Sequence, residues 1–436
     1  MRLFTSTETS KWQEIPKSER QHRYEVENTI ESTLSFSGTT DQEWLGFGGC
    51  FNELSQTALL TLSEKDRSDL HDLLFTDDGL GLSFCRIPIG ASDYAVSWYS
   101  HNETEGDYAM ANHSIDRDRK YLLPYIKEAK KRNPNIQFFA SPWSPPTWMK
   151  YPQAYNFGTL VWTPENLRAY ALYFVKFIQA YKAEGIHISQ LHVQNEPMSS
   201  QKFPSCRWTG EEFKEFIGRY LGPVMAENCP DTEIWLGTLN GPETDERALC
   251  TRYNDYANTV LHDPTAEKYI TGVSYQWAGK YALQITRNSF PEKQYIQSEN
   301  ECGDGQNTWL YAKYIYELFH HYIQNGVNAY VYWNMVLAPG GQSTWGWTQN
   351  SMITADTQYT LQHEYYIMKH YSHFVRPGAR RLVLRGHLCG NASAFENPDG
   401  SRVVIVANPF SQALHFCLGN EDIVLQPDSI NTLFYR

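Results

Sequence analysis

The chain has 436 residues, of which 41% are hydrophobic and 20% charged, a balance that supplies a large buried core and excludes a disordered chain. A (β/α)8 barrel alone takes roughly 250 residues, so the length fits one barrel plus one accessory domain. The formal net charge of -12, from 49 acidic against 37 basic residues, lacks the electrostatic footprint of a nucleic-acid or anionic-membrane binder, so no nucleic-acid partner is expected.

The first residues, MRLFTSTETSKWQEIPKSER, have no apolar stretch after a basic start, and no run reaches the ~18 apolar residues of a spanning helix. A soluble, cytoplasmic protein without an integral membrane segment is expected. The segment RYEVENTIESTLSF is rich in β-branched and aromatic residues and predicts strands near the N-terminus. From Trp44 to Leu337, short apolar runs alternate with helical stretches, the mark of repeated βα units around a parallel sheet. The candidate strands are WLGFGGCF, LSFCRIPIG, IQFFASPW, SQLHVQNEP, EIWLGTLN, ITGVSYQW, QYIQSENE and NAYVYWNMVL, which is the barrel number. Among the helices between them, ENLRAYALYFVKFIQAYKAEG opens after Thr163-Pro164 and stops at Gly185. Beyond about residue 370, RRLVLRG, NASAFENPDG, SRVVIVANP and NTLFYR predict short strands, with Asn397-Pro398-Asp399-Gly400 as a hairpin turn. The expected fold class is therefore α/β: a (β/α)8 TIM barrel over residues 41–368 with a fused small β-sandwich side domain, assembled from residues 1–40 and 369–436. The 8 cysteines are scattered without CxxC pairs, which predicts reduced thiols and gives no indication of zinc; neither a metal nor a cofactor is expected.

Barrel enzymes carry their chemistry where the strands run out at the C-terminal face. The polar and aromatic residues at those positions are Arg86 and Asp93 after strand two, Trp143 and Trp148 after strand three, and Asn195 and Glu196 after strand four. Gln276 and Trp277 follow strand six, Glu299 strand seven, and Trp333 and Asn334 strand eight. Breaking a glycosidic bond needs a protonated carboxyl to help the leaving oxygen depart and a second carboxylate to capture the cationic sugar; at about 5 to 5.5 Å apart the pair gives net retention. Glu196 and Glu299 are the candidates. Arg86 is expected to hold Glu299 ionised and low in pKa, Asn195 to bond the sugar 2-OH, and Glu196 to carry a raised pKa. Each residue also has a plainer reading. Glu301 competes for the nucleophile role, although its neighbours place it past the strand; Trp143 and Trp148 fit a packed core as well as a sugar platform; Asp93 fits a helix cap; His320 and His321 fit a packed or solvated helix face.

The segments GFGGCFNE, FCRIPIGASDY, FFASPWSPPTWMK, HVQNEP with CRWTGEEF, IQSENE and YWNMVLAPGG resemble, in order and spacing, those of glycoside hydrolase family 30, in particular its glucosylceramidase-like members, from about residue 44 to the C-terminus. The resemblance implies Glu196 as acid/base and Glu299 as nucleophile, with Arg86, Asp93, Trp143, Asn195 and Trp333 lining the sugar subsite. It also implies a β-anomeric substrate and a β side domain fused to the barrel. Three features depart from the pattern. Gln276-Trp277-Ala278 stands where such members have His-Trp-Tyr, removing a tyrosine that would contact the nucleophile and making Gln276 a candidate substrate contact. Asn52-Glu53 replaces Thr-Asp, and GGQSTWGWTQN places Trp345 and Trp347 at the pocket rim. The activity expected is that of a retaining, exo-acting β-glycosidase of the glucosidase or glucosylceramidase type with a carbohydrate substrate. The alternatives are a β-xylosidase or β-1,6-glucanase on the same scaffold and a noncatalytic glycan-binding protein; cleavage of a chromogenic aryl β-glycoside separates the last from the enzymes.

Overall fold

A computed structural model describes residues 1–16, 29–241 and 255–436. Residues 23–28 of the RYEVENTIESTLSF reading, and Cys250, lie outside the described residues. The eight apolar runs form a closed barrel of β1 (Gly46–Cys50), β2 (Phe84–Ile89), β3 (Gln137–Pro142), β4 (Ile188–His192), β5 (Glu233–Leu239), β6 (Ile270–Gln276), β7 (Gln294–Glu299) and β8 (Ala329–Asn334). Each strand pairs in parallel with the next, and β8 with β1. The glycines of β1 permit closure: a Cβ on Gly48 would stand 1.6 Å from the Phe84 carbonyl oxygen of β2. Phe84, Phe139, Trp235, Ile296, Ala329 and Val331 pack as one cluster inside the barrel, so it has a solid floor rather than a pore. The fold class expected from the sequence is the one observed.

The helix Pro164–Ala183 illustrates how local signals place the outer layer. The Thr163 hydroxyl accepts from the Asn166 amide, Pro164 occupies the first turn where its missing N–H costs nothing, and Gly185 takes φ +80° just past the end. Leu167, Tyr170, Phe174, Phe177 and Tyr181, spaced three or four apart, form its buried stripe.

The side domain draws on both chain ends. Among the described residues a seven-stranded sheet runs in the order Gln13–Glu14, Arg2–Ser6, Ser429–Tyr435, Arg402–Asn408, Ala392–Glu396, Arg380–Arg385, Ser35–Glu43. A smaller sheet of Glu421–Leu425, Leu414–Leu418 and Ile30–Glu31 belongs to the same domain. Side chains alternate across the large sheet: Val404, Val406 and Ala394 face Leu414, Phe416 and Ile423 of the small sheet, whereas Val403, Ile405 and Phe395 join the core of the barrel. The central strands of the sheet are thus covered on both faces, one by the small sheet and the other by the apolar core of the barrel. Among the described residues no helix is long and apolar enough to cross a membrane.

Trp44 sits at the junction. It is fully buried, its ring lies 4.5 Å from Phe47 and 5.4 Å from Phe395, and its backbone exchanges 2.7 Å hydrogen bonds with Gly378 and Ala379. Trp44→Ala should cost about 3–5 kcal/mol, the usual penalty for emptying a buried aromatic site. The expected readout is a clearly lower urea midpoint; an unchanged midpoint would show that this junction does not hold the two units together.

Candidate active site

Arg86 points from β2 into the barrel and is completely buried, so its charge must be met by acceptors inside the protein. Its Nε donates to Ser141 Oγ (2.9 Å) from β3, Nη1 to the Glu299 carboxylate at the end of β7, and Nη2 to Asn195 Oδ1 (2.6 Å) and Thr238 Oγ1 (3.3 Å). Trp143 covers the guanidinium from one side, with its ring centroid 4.4 Å from Cζ, and Trp333 lies 5.7 Å away. Gln276 fills the space below: its Nε2 donates to Asn195 Oδ1 (2.6 Å), Thr238 Oγ1 (3.1 Å) and Glu299 Oε2 (3.1 Å). All of Arg86, Asn195, Gln276, Glu299, Trp143 and Trp333 named from the sequence meet at one place.

Glu196 follows β4 with φ +44°, a left-handed conformation uncommon for a non-glycine residue and often concentrated at functional sites. Its amide donates to Thr238 O (3.0 Å), its carbonyl accepts from the Ser199 amide (2.8 Å), and its carboxylate accepts from the Ser199 hydroxyl (2.8 Å). Asn240 in turn donates to that hydroxyl at 2.8 Å. Asp93 is buried with Oδ1 lacking a protein partner, and its carbonyl accepts from the Trp345 indole at 3.0 Å. Trp345 packs at a tilt against Phe203 and Trp347, with ring centroids 5.1 Å apart in each pair, and the half-exposed Trp347 faces solvent.

Three carboxyls share this desolvated space with one guanidinium. Burial raises Glu196, with the Ser199 hydroxyl and Arg86 opposing. Burial raises Asp93 to about 7, reinforced by Glu196. Burial also pushes Glu299 up to about 8, Arg86 opposing and Glu196 and Asp93 adding. The expectation that Arg86 draws Glu299 down holds for that one contact and fails for the net direction, because burial beside two more carboxyls outweighs it. The three acids lie close enough to titrate as a coupled group, in which the Arg86 contact lowers and the neighbouring carboxyls raise the proton affinity of Glu299.

Several residues take different places from those read in the sequence. Trp143 and Trp333 are each 1% exposed, so they form the tight lining over Arg86 rather than an open platform. Gln276, read as a substrate contact, is fully buried beneath Glu299 and bonds protein groups. Asn52 caps the helix Glu53–Leu59 and donates to Asn334 (3.1 Å), and Glu53 pairs with Arg117 (2.7 Å), so this departure builds the wall behind the pocket. Glu301 lies past β7 and takes the Tyr314 hydroxyl as its partner. Trp148 donates to Asn102 O (3.0 Å) and packs edge-on to Tyr108. Ser141, Thr238, Ser199 and Asn240 were not singled out from the sequence. Thr238 and Asn240 lie at the end of the run EIWLGTLN, the same strand-end position that marks Asn195 and Gln276.

A closed parallel barrel whose strand ends aim a paired glutamate and a second, partly open glutamate into one tryptophan-lined pocket defines a barrel glycoside hydrolase. Residues 44–375 match the glycosyl hydrolase family 30 TIM-barrel domain and residues 389–433 the glycosyl hydrolase family 30 beta sandwich domain, and the chain belongs to this family. Putative glucosylceramidase 2 of Caenorhabditis elegans is 30% identical, across 92% of this chain and 82% of the relative. SrfJ from Salmonella typhimurium superposes with a TM-score of 0.86 at 26% identity, covering 100% of this chain and 99% of the other. The endo-beta1,6-glucanase BT3312 gives a TM-score of 0.86 at 25% identity over the same shares, 100% and 99%. The protein is therefore a glycoside hydrolase acting on carbohydrate.

Arg86→Lys tests the anchor. A lysine keeps the charge but cannot reach Ser141, Glu299, Asn195 and Thr238 at once with a planar fork. Hydrolysis of an aryl β-glycoside should fall about 100-fold or more in kcat/KM, as when a group that fixes reactive geometry is lost. Near-full activity in the lysine variant would show that charge alone suffices.

Proposed function

We propose that the protein is a retaining, exo-acting β-glucosidase in which Glu299 is the nucleophile and Glu196 the acid/base. The observation that carries this reading is the unequal supply of donors to the two glutamates. Glu299 accepts from Arg86 and Gln276, which favours its anion and keeps it aimed. Glu196 has a single hydroxyl donor and a raised pKa, the condition for carrying a proton to a leaving oxygen. In the first half-reaction Glu299 attacks the anomeric carbon while Glu196 donates its proton to the departing oxygen; in the second, Glu196 takes a proton from water as that water displaces Glu299. Asn195 has its Oδ1 held by Arg86, Gln276 and Thr238, so its Nδ2 is turned outward to donate to the sugar 2-OH. Asp93 Oδ1 has no hydrogen-bond partner in the protein, and a sugar hydroxyl is the partner this reading assigns to it.

A second reading is endo-β-1,6-glucanase action. It is favoured by the full-length likeness to the endo-beta1,6-glucanase BT3312 and by the Gln276-Trp277-Ala278 departure from the glucosylceramidase-like pattern. Glucose released alone from aryl β-glucoside and glucosylceramide supports the first reading; oligosaccharides as the early products from β-1,6-glucan support the second.

The mechanism is tested by trapping. A 2-fluoro β-glucoside with a good leaving group should label Glu299, and Glu299→Ala should abolish turnover, with azide restoring it as the α-glycosyl azide. Label on Glu301, or β-glycosyl azide as product, contradicts the assignment.

The pH profile tests Glu196 separately. The Ser199 hydroxyl stabilises the Glu196 anion, so Ser199→Ala should raise the Glu196 pKa. The basic limb of kcat/KM, which reports loss of the donatable proton, should then move to higher pH by up to about one unit, equivalent to about 1.4 kcal/mol. A limb that stays put or moves down would mean that another group titrates there.

A further inference from the structure

The small sheet of the side domain places four metal-binding side-chain types on its outer face. His415 and Cys417 are two apart on the strand Leu414–Leu418, so they share a face, while Leu414, Phe416 and Leu418 point inward and are buried. Asp422 of the neighbouring strand stands directly across from Cys417, and Glu31 of Ile30–Glu31 stands directly across from His415. One nitrogen of His415, the Cys417 sulfur and a carboxylate oxygen of Asp422 lie within 4.8 Å of one another. Cys417 Sγ is 3.1 Å from Asp422 Oδ1, and His415 Nε2 is 3.6 Å from the same oxygen. The other ring nitrogen, Nδ1, is held by Glu31 Oε2 at 2.5 Å.

We infer that His415, Cys417 and Asp422 form a surface site for a thiophilic divalent cation, Zn2+ by its ligand chemistry, with Glu31 orienting the imidazole from behind. Around a tetrahedral zinc at the usual bond lengths of about 2.0 to 2.3 Å, ligand atoms stand roughly 3.3 to 3.8 Å apart. The separations from Asp422 Oδ1 to Nε2 and Sγ lie close to that range, so an ångström or less of side-chain motion completes the set. A carboxylate on the far nitrogen of a ligating histidine is the usual outer-sphere arrangement, fixing ring orientation and raising ligand basicity. The mixture of thiolate, imidazole and carboxylate selects zinc over the oxygen-preferring magnesium and calcium. On binding, the Cys417 thiol gives its proton to solvent and the sulfur bonds the metal; water takes the fourth position. The consequence is structural: the metal would clip the Leu414–Leu425 hairpin, and through His415 and Glu31 would tie the N-terminal strand Ile30–Glu31 to it. This His-x-Cys pattern with a cross-strand acid escapes a search for CxxC pairs. Cys417 is also the one exposed free cysteine among the described residues, and so the thiol most open to a reagent.

The test uses the full chain, stripped with EDTA and dialysed. Calorimetric titration with zinc chloride should show one equivalent bound, absent in His415→Ala and in Cys417→Ser. Glu31→Gln should keep the stoichiometry with affinity lowered about 10- to 100-fold. Peptide-level mass spectrometry on the unsubstituted chain supplies a readout independent of any variant: saturating zinc, but not magnesium, should slow alkylation of Cys417 by iodoacetamide at least about tenfold, since the bound thiolate is shielded. Alkylation of Cys417 unaffected by zinc, or a zinc equivalent that survives both His415→Ala and Cys417→Ser, overturns the site.

Discussion

A guanidinium with no access to water organises this molecule's chemistry. Removing such a charge from solvent costs several kcal/mol even after relaxation, so its donors must be answered by acceptors in good geometry. Arg86 finds them on Ser141 of β3, Asn195 after β4, Thr238 of β5 and Glu299 of β7, four different strands of one barrel. Satisfying one buried cation therefore fixes the relative positions of the strand ends. Trp143 and Trp333 complete the enclosure, and the low dielectric they create strengthens every contact below them. The acids that remain around this cation inherit its environment: with one positive charge among three carboxyls, the site retains protons that solution carboxyls would have lost. Acid-assisted cleavage of a stable acetal requires a carboxyl that keeps its proton until the leaving oxygen takes it, and burial raises Glu196 in that direction.

Much of this was legible in the chain. The eight strands were marked by apolar runs, and the long helix by Thr163-Pro164 and Gly185, because these are local signals that tertiary context had no reason to override. Glu196, Glu299, Arg86 and Asn195 could be placed because a barrel sends its strand ends to one face. What stayed hidden depends on contacts between distant segments. Gln276 ends a strand like the others, yet its side chain turns under the Glu299 carboxylate, a direction decided by the pairing of β6 with β7. The exposure of Trp143 and Trp333 depends on how closely they approach Arg86 and each other, 5.3 Å ring to ring, which composition does not encode. The net direction of the Glu299 pKa depends on summing burial against three neighbours, and a sequence names the neighbours without their distances. The His415, Cys417, Asp422 and Glu31 cluster joins residues nearly 400 positions apart, so only the sheet register brings it into view.

One link from the side domain toward the site is a helix. Trp309–Gln324 connects β7, which ends in Glu299, to β8, which carries Trp333, and its outer face is fastened to the sandwich. The Trp309 indole and Lys313 ammonium both reach Asp428, at 2.9 and 2.8 Å; the Tyr316 hydroxyl donates to Asn391 O at 2.6 Å, and Gln324 donates to Ala392 O at 3.0 Å. Phe319 on the same helix stacks 3.7 Å from Tyr330 of β8 and 4.8 Å from Tyr371 of the following helix, His363–Ser372. These contacts run from the sandwich through the helix to the strand that carries Trp333. A helix pinned on both sides cannot slide without disturbing β8, and a shift of an ångström at Trp333 would loosen the cover over Arg86. In a site whose acids depend on exclusion of water, that loosening would let solvent back to the guanidinium and return the carboxyls toward their ordinary proton affinities. The sandwich is thus linked, through the helix Trp309–Gln324, to the β7 to β8 unit that carries Glu299 and Trp333.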